Sequence, residues 1–185
     1  DPADHERELV DVIWFPTGGG KTEAYLGLAA WTMLRRRMDD PADGGVSVLM
    51  RYTLRLLTAQ QFQRAASLIC ALELLRRREP RLGSEPYSIG LWLGGSVTPN
   101  RNNKAVEALT ALNRGEPKNP FVVLSCPWCG VEMGPRIVGT DRLPTVFGYI
   151  RREGTVRFIC PDEGCEFSGR DGLPLEVIDE RIYER

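Results

Sequence analysis

No stretch of this 185-residue sequence approaches the roughly 18 consecutive apolar residues of a membrane span. The opening residues, DPADHEREL, are acidic where a secretory leader would be basic and then apolar. No membrane partner and no export are expected, and the expected compartment is the cytoplasm. Histidine is limited to His5, remote from every other candidate residue and read as an exposed side chain. Lysine is limited to Lys21, Lys104 and Lys118, so nearly all cations are arginine. Internal repeats and low-complexity tracts are absent. With 42% apolar residues, 26% charged residues and a net charge of −1, composition excludes disordered and fibrous classes and points to a soluble globular protein.

The near-zero net charge conceals a local bias, because residues 33–81 hold ten arginines and five acidic residues while residues 1–32 hold two basic and six acidic ones. One middle stretch is therefore basic, which suits phosphate binding but equally a compositional preference for arginine. Five cysteines without an export signal favour reduced thiols. Four of them form two close pairs, pointing to metal rather than disulfides, and Cys70 stands apart.

Periodicity divides the chain into alternating elements. LVDVIWF (9–15) is a short apolar run that ends at Pro16 and three glycines, and helix-forming residues follow from Lys21 to Met38. A polar break precedes a second strand candidate, VSVLM (46–50). A long helix follows, its apolar stripe at Leu54, Leu57, Ala65, Leu68, Leu72 and Leu75, with Pro80 as the stop. YSIGLWL (87–93) is a third strand candidate, and Ala105, Ala108, Leu109 and Leu112 mark a helix that stops at Gly115. Strand alternating with helix predicts an α/β fold with a doubly wound parallel sheet.

The most informative segment is PTGGGKT (16–22), lying between a predicted strand and a predicted helix. Glycines let backbone N–H groups turn toward phosphate oxygens, and the helix N-terminus adds a favourable dipole. Thr17, Gly18, Gly19 and Gly20 would cradle the phosphates, Lys21 would reach their oxygens, and the Thr22 hydroxyl would ligate Mg²⁺. A glycine turn that merely caps a helix explains neither Lys21 nor Thr22.

FPTGGGKTEAYL is similar to motif I of superfamily 2 helicases, in which the first glycine of the older phosphate-loop pattern is not required, so Phe15 is no obstacle. VLMRYTLRLLTAQ resembles their motif Ia through Thr53, Leu56 and Gln60, with Tyr52 where proline is usual. Taken with LGGSVTPN, these segments most resemble the large helicases of DISARM-type bacterial antiphage systems and their helicase-like relatives, over the whole chain. The resemblance implies a RecA-like lobe with a parallel sheet and helices on both faces, binding ATP and Mg²⁺, with Lys21 and Thr22 as catalytic residues. It implies nucleic-acid backbone contacts at Arg51, Thr53, Arg55, Gly95 and Thr98, a DNA partner, a second RecA-like lobe elsewhere in the protein, and a partner protein in a defence complex. The expectation is a piece of a larger protein, inactive alone. For Arg51 to Arg55 the plainer reading is a solvated basic helix start, and for Gly95 and Thr98 a glycine turn with a cap.

Cys126-Pro-Trp-Cys129 and Cys160-Pro-Asp-Glu-Gly-Cys165 are two knuckles flanking a predicted hairpin in which TVFGYI and TVRFIC meet at Glu153-Gly154. Two such turns supply four thiolates for a closed, structural Zn²⁺ site of zinc-ribbon type; disulfides are the alternative. The expected organisation is a RecA-like ATP-binding lobe over 1–124, a zinc-ribbon-like insertion over 125–172, and a return to the lobe over 173–185. VIDE (177–180) has the form of a strand ending in the Asp179-Glu180 pair that would hold Mg²⁺ and orient water. Glu176 interrupts its apolar run, and a surface turn is the favoured reading. The competing function is a nucleic-acid or protein-binding scaffold with a vestigial nucleotide site, against which Lys21-Thr22 speaks.

Overall fold

The computed structural model describes residues 20–51 and 55–183, and for 55–59 and 183 the backbone alone. Helix α1 (Lys21–Asp39) starts directly after Gly20, whose left-handed backbone (φ 78°) turns the chain into the helix without a side-chain cap. Helix α2 (Arg55–Arg78) runs 24 residues without glycine or proline, and a 3-10 turn at Pro80–Leu82 ends it. Strand β1 (Ile89–Gly90), helix α3 (Asn102–Asn113) and strands β2 (Gly134–Arg136), β3 (Thr145–Phe147), β4 (Tyr149–Arg152) and β5 (Thr155–Phe158) follow. Strand β6 (Leu175–Glu176) and helix α4 (Asp179–Tyr183) complete the order.

The described residues form a mixed helix and strand fold whose strands make three two-stranded sheets, in place of the larger doubly wound sheet that periodicity predicts. One of them is parallel: Ile89 pairs with Leu175 and Gly90 with Glu176. β2 pairs with β3 and β4 with β5, both antiparallel. The β4–β5 turn is the predicted one, with Glu153 (φ 51°) and Gly154 (φ 77°) both left-handed, as a tight two-residue hairpin requires. TVFGYI is not one strand, because Gly148 (φ 80°) breaks it and sends its first half to β2. Residues 46–50 form no strand: no described strand lies beside them to take their backbone bonds, and Val46 and Leu49 are 82% and 91% exposed. The 9–15 strand candidate lies outside the described residues.

Helix α2 is buried on two faces. Ile69 and Leu72 pack with Tyr87, against Met33 and Leu34 of α1. Phe62, Cys70 and Leu74 face the other way, into a core shared with Leu109 and Leu112 of α3, with Phe121, Tyr149 and Phe158, and with Cys126, Cys160 and Cys165. Phe121, Tyr149 and Phe158 form a ring cluster with centroids 5.0–5.8 Å apart. The Tyr149 hydroxyl donates to the Val123 carbonyl (2.6 Å) and accepts from Asn119 (3.0 Å); burial pushes its phenol up to about 12.

Two buried charges join the helices to the segment that leads into β1. Arg37, 4% exposed, donates to the carbonyls of Asp43, Leu82 and Glu85 and lies 4.8 Å over the Tyr87 ring. Glu73, 2% exposed, accepts from Arg76, Arg77 and the Tyr87 N–H. Against the burial that would raise it, these donors hold the Glu73 carboxyl below the usual range.

Gly172 is fixed by both backbone and space. Its φ is +67°, and a Cβ there would sit 2.5 Å from the Phe158 carbonyl, which already accepts from Leu173 N–H at 2.8 Å. Gly172→Ala is expected to cost about 1–3 kcal/mol. That corresponds to roughly 2–12 °C in the Tm of a chain this size, readable by calorimetry.

Candidate metal centre and nucleotide loop

The two cysteine knuckles are built by their own backbone bonds. In the first, Cys126 N–H donates to Val131 (2.8 Å) and Gly130 N–H to Cys126 (2.9 Å), with Gly130 left-handed (φ 81°) to close the turn. In the second, Cys160 N–H donates to Phe167 (2.9 Å), Cys165 N–H to Asp162 (3.0 Å) and Ser168 N–H to Cys165 (3.0 Å). The turns bring Cys126, Cys129, Cys160 and Cys165 together with all four Sγ atoms within 4.8 Å of one another, and Cys129 and Cys160 at 3.4 Å. A tetrahedral ion with bonds of about 2.3 Å requires sulfur atoms about 3.8 Å apart, so the set fits a Cys₄ metal such as zinc. All four are free thiols, three buried and Cys129 exposed. Burial raises the Cys160 and Cys165 thiols, whereas at Cys129 the burial is outweighed by the Val131 N–H and the neighbouring thiols, which lower it.

One face of α2 carries this centre. Gln63 donates to both the carbonyl (3.3 Å) and the hydroxyl (3.1 Å) of Ser125, and Ser67 donates to the Pro127 carbonyl. Cys70 is wholly buried in the same core as Cys126 and Cys165, and burial pushes its thiol up to about 12. Arg77 lies 5.4 Å over the Phe167 ring and Arg78 pairs with Glu166 at 3.4 Å. Positions 63, 67, 70, 74 and 77 are spaced four, three, four and three apart, the repeat of one helix face. The polar members of this face were missed by the apolar stripe read from the sequence, which marks the opposite side of α2. The alternating spacing of three and four was the available signal.

Of the phosphate-loop residues, Thr17, Gly18 and Gly19 lie outside the described residues. Gly20, Lys21 and Thr22 stand at the N-terminus of α1, with Lys21 exposed. Ala24 N–H donates to the Gly20 carbonyl (3.0 Å), and the Thr22 hydroxyl accepts from Tyr25 at 3.0 Å. The N–H groups of the first helical turn have no carbonyl within the helix, and no side chain of Gly20 caps them.

The nucleic-acid candidates are placed unequally. Arg51 is exposed, Thr53 is outside the described residues, and Arg55 is the first residue of α2. Gly95 is exposed, whereas Thr98 is 1% exposed and its hydroxyl has no hydrogen-bond partner among the described residues. Asp179 and Glu180 open α4 at the carboxyl end of β6. Their N–H groups donate to the carbonyls of Pro99 (3.4 Å) and Asn100 (3.1 Å), and the Glu180 carboxylate accepts from Asn102 N–H at 2.7 Å, satisfying the start of α3. Glu180 thus anchors the 92–102 loop. Asp179 is buried, and that burial raises its carboxyl above the usual range against a hydrogen bond from Trp92.

The DISARM protein DrmA of Bacillus paralicheniformis is similar to this chain. The two are 36% identical over 193 residues, a match that takes in 97% of this chain. The chain spans 16% of the length of that relative. No family model matches the sequence. No helix among the described residues is long and apolar enough to cross a membrane.

Proposed function

We propose that this chain is the ATP-binding first lobe of a DNA helicase or translocase acting in antiphage defence, stabilised by a structural zinc centre. The observation that carries the reading is PTGGGKT running through Gly20 into the first turn of α1, where Lys21 stands exposed and the leading N–H groups lack carbonyl partners in the helix. Such a terminus favours an anion, and a lysine beside it adds the positive charge that a β- or γ-phosphate needs. The likeness to DrmA supports the defence role, and a second RecA-like lobe would lie elsewhere in the protein. Thr17 to Thr22 would hold the triphosphate, with the Thr22 hydroxyl toward Mg²⁺. When bound, that ion neutralises charge on the phosphates. The internal bonds of Glu180 favour a water-activating acid located elsewhere.

Hydrolysis of ATP by the full-length protein, stimulated by added DNA, is the expected result. Equal rates with and without DNA would remove the helicase reading.

Nucleic acid would contact Arg51, Thr53, Arg55 and the exposed Gly95, with buried Thr98 shaping the loop. Replacing Arg51 and Arg55 with glutamine is expected to weaken binding about equally for all sequences. The slope of log affinity against log salt should fall by about 1.8 for a duplex or about 1.4 for a single strand, two phosphate contacts being lost. Filter binding at four salt concentrations reads this directly, and an unchanged slope counts against the contact.

A further inference from the structure

Where the last turn of α2 meets the β4–β5 hairpin, the surface folds into a cavity of about 380 Å³. Five arginines line it, Arg76, Arg77, Arg152, Arg157 and Arg170, against three acidic residues, Glu73, Glu153 and Asp171. One of these, Glu73, is already consumed by Arg76, Arg77 and the Tyr87 N–H. Glu153 pairs with Arg152 at 3.5 Å and Arg157 at 3.8 Å, and Arg157 pairs also with Glu176 at 3.9 Å.

The arginines differ in what they have left to give. Arg76 is spent on Glu73 and on the Gly83 carbonyl (3.1 Å). Arg77 donates only Nε to Glu73 (3.1 Å), and with its plane fixed over Phe167 its two Nη groups make no hydrogen bond to a described residue. Arg152 uses Nη1 on the Arg170 carbonyl (2.6 Å), which holds the two residues side by side, and its Nε pairs with Glu153 at 3.5 Å. The Arg170 guanidinium is exposed and has no bond or ion pair among the described residues. The planar forks of Arg77 and Arg152, held in this way, match tetrahedral oxyanions, phosphate above all, and the unpaired Arg170 can close on the same group.

The cavity also stands apart from the sites treated above. Pro86 and Tyr87, which precede β1, and Leu173 and Pro174, which precede β6, line it. It therefore opens at the amino ends of the parallel pair, whereas Gly94-Gly95 and Asp179-Glu180 follow the carboxyl ends of those strands.

We propose that this cavity binds a phosphate group through Arg77, Arg152 and Arg170. The phosphate belongs either to a small phosphorylated molecule or to the 5′ end of a nucleic-acid strand. Pyrophosphate is the first probe, titrated by calorimetry into the protein carrying Lys21→Ala, so that the glycine loop does not contribute. Saturable binding is expected, weakened at least tenfold by Arg152→Gln with Arg170→Gln. Asp171→Asn, which removes a carboxylate of the cavity, is expected to tighten it about threefold. That gain cannot come from misfolding. No saturable binding, or an affinity unmoved by both variants, overturns the proposal. Oligonucleotides with a 5′-phosphate or a 5′-hydroxyl separate the sources. A tenfold preference for the phosphorylated end, lost with the two arginines, assigns the site to a strand terminus; equal binding alongside arginine-dependent pyrophosphate binding assigns it to a small molecule.

Discussion

Cys126→Ser with Cys129→Ser is expected to strip one zinc from each chain and to unfold much more than the knuckles. A Cys₄ site of this kind supplies about 10–16 kcal/mol in small zinc modules, comparable to or larger than the whole stability of an ordinary domain, about 5–15 kcal/mol. The cysteines share a core with α2 and α3, and Gln63, Ser67 and Arg77 join α2 to both knuckles. Loss of metal should therefore raise amide exchange along α2 as well as across residues 125–172. Elemental analysis should give one zinc per chain in the parent protein and in Cys70→Ser, and none in the double variant. Full zinc content in the double variant, or exchange unchanged along α2, would sink this account.

Lys21→Ala should lower ATP hydrolysis by the full-length protein by roughly two to three orders of magnitude, the loss typical of removing one preorganised charge from a developing oxyanion. Its Tm should stay within about 1 °C, since Lys21 is exposed and makes no ion pair among the described residues. The pairing of these readouts is what matters: a lost activity with an unchanged melt places Lys21 at the phosphates, whereas retained activity removes the phosphate loop from the mechanism.

Local chemistry made much of this legible. Gly20 before Lys21 marked the start of α1, Pro80 the end of α2, and Glu153-Gly154 the hairpin, because backbone conformation at these points follows from residue type alone. The four cysteines were legible from their spacing, since two close pairs flanking a hairpin supply one tetrahedral set. Tertiary context hid the rest. VSVLM reads as a strand from composition, yet a strand needs a neighbour, and none of the described strands flanks it. The α2 stripe named one face of a helix that is buried on two. Arg37 and Glu73 carry charges that composition places in water, and only the converging carbonyls and arginines account for their burial. VIDE has the form of an acidic pair ending a strand, yet a surface turn is the reading its residues favour; that Glu180 bonds to the start of α3 depends on tertiary context.

The parallel pairing of Ile89 with Leu175 has a consequence for how the chain is made. At synthesis rates of about 5–20 residues per second, β1 leaves the ribosome roughly 4–17 seconds before its partner exists. During that interval its backbone edge and the apolar face of α2 are open to other nascent chains. Cys126 to Cys165 emerge within this window, and a metal captured there closes much of the intervening loop, shortening the search that β6 must complete. A metal such as zinc supplied during translation should then raise the share of the product that escapes aggregation.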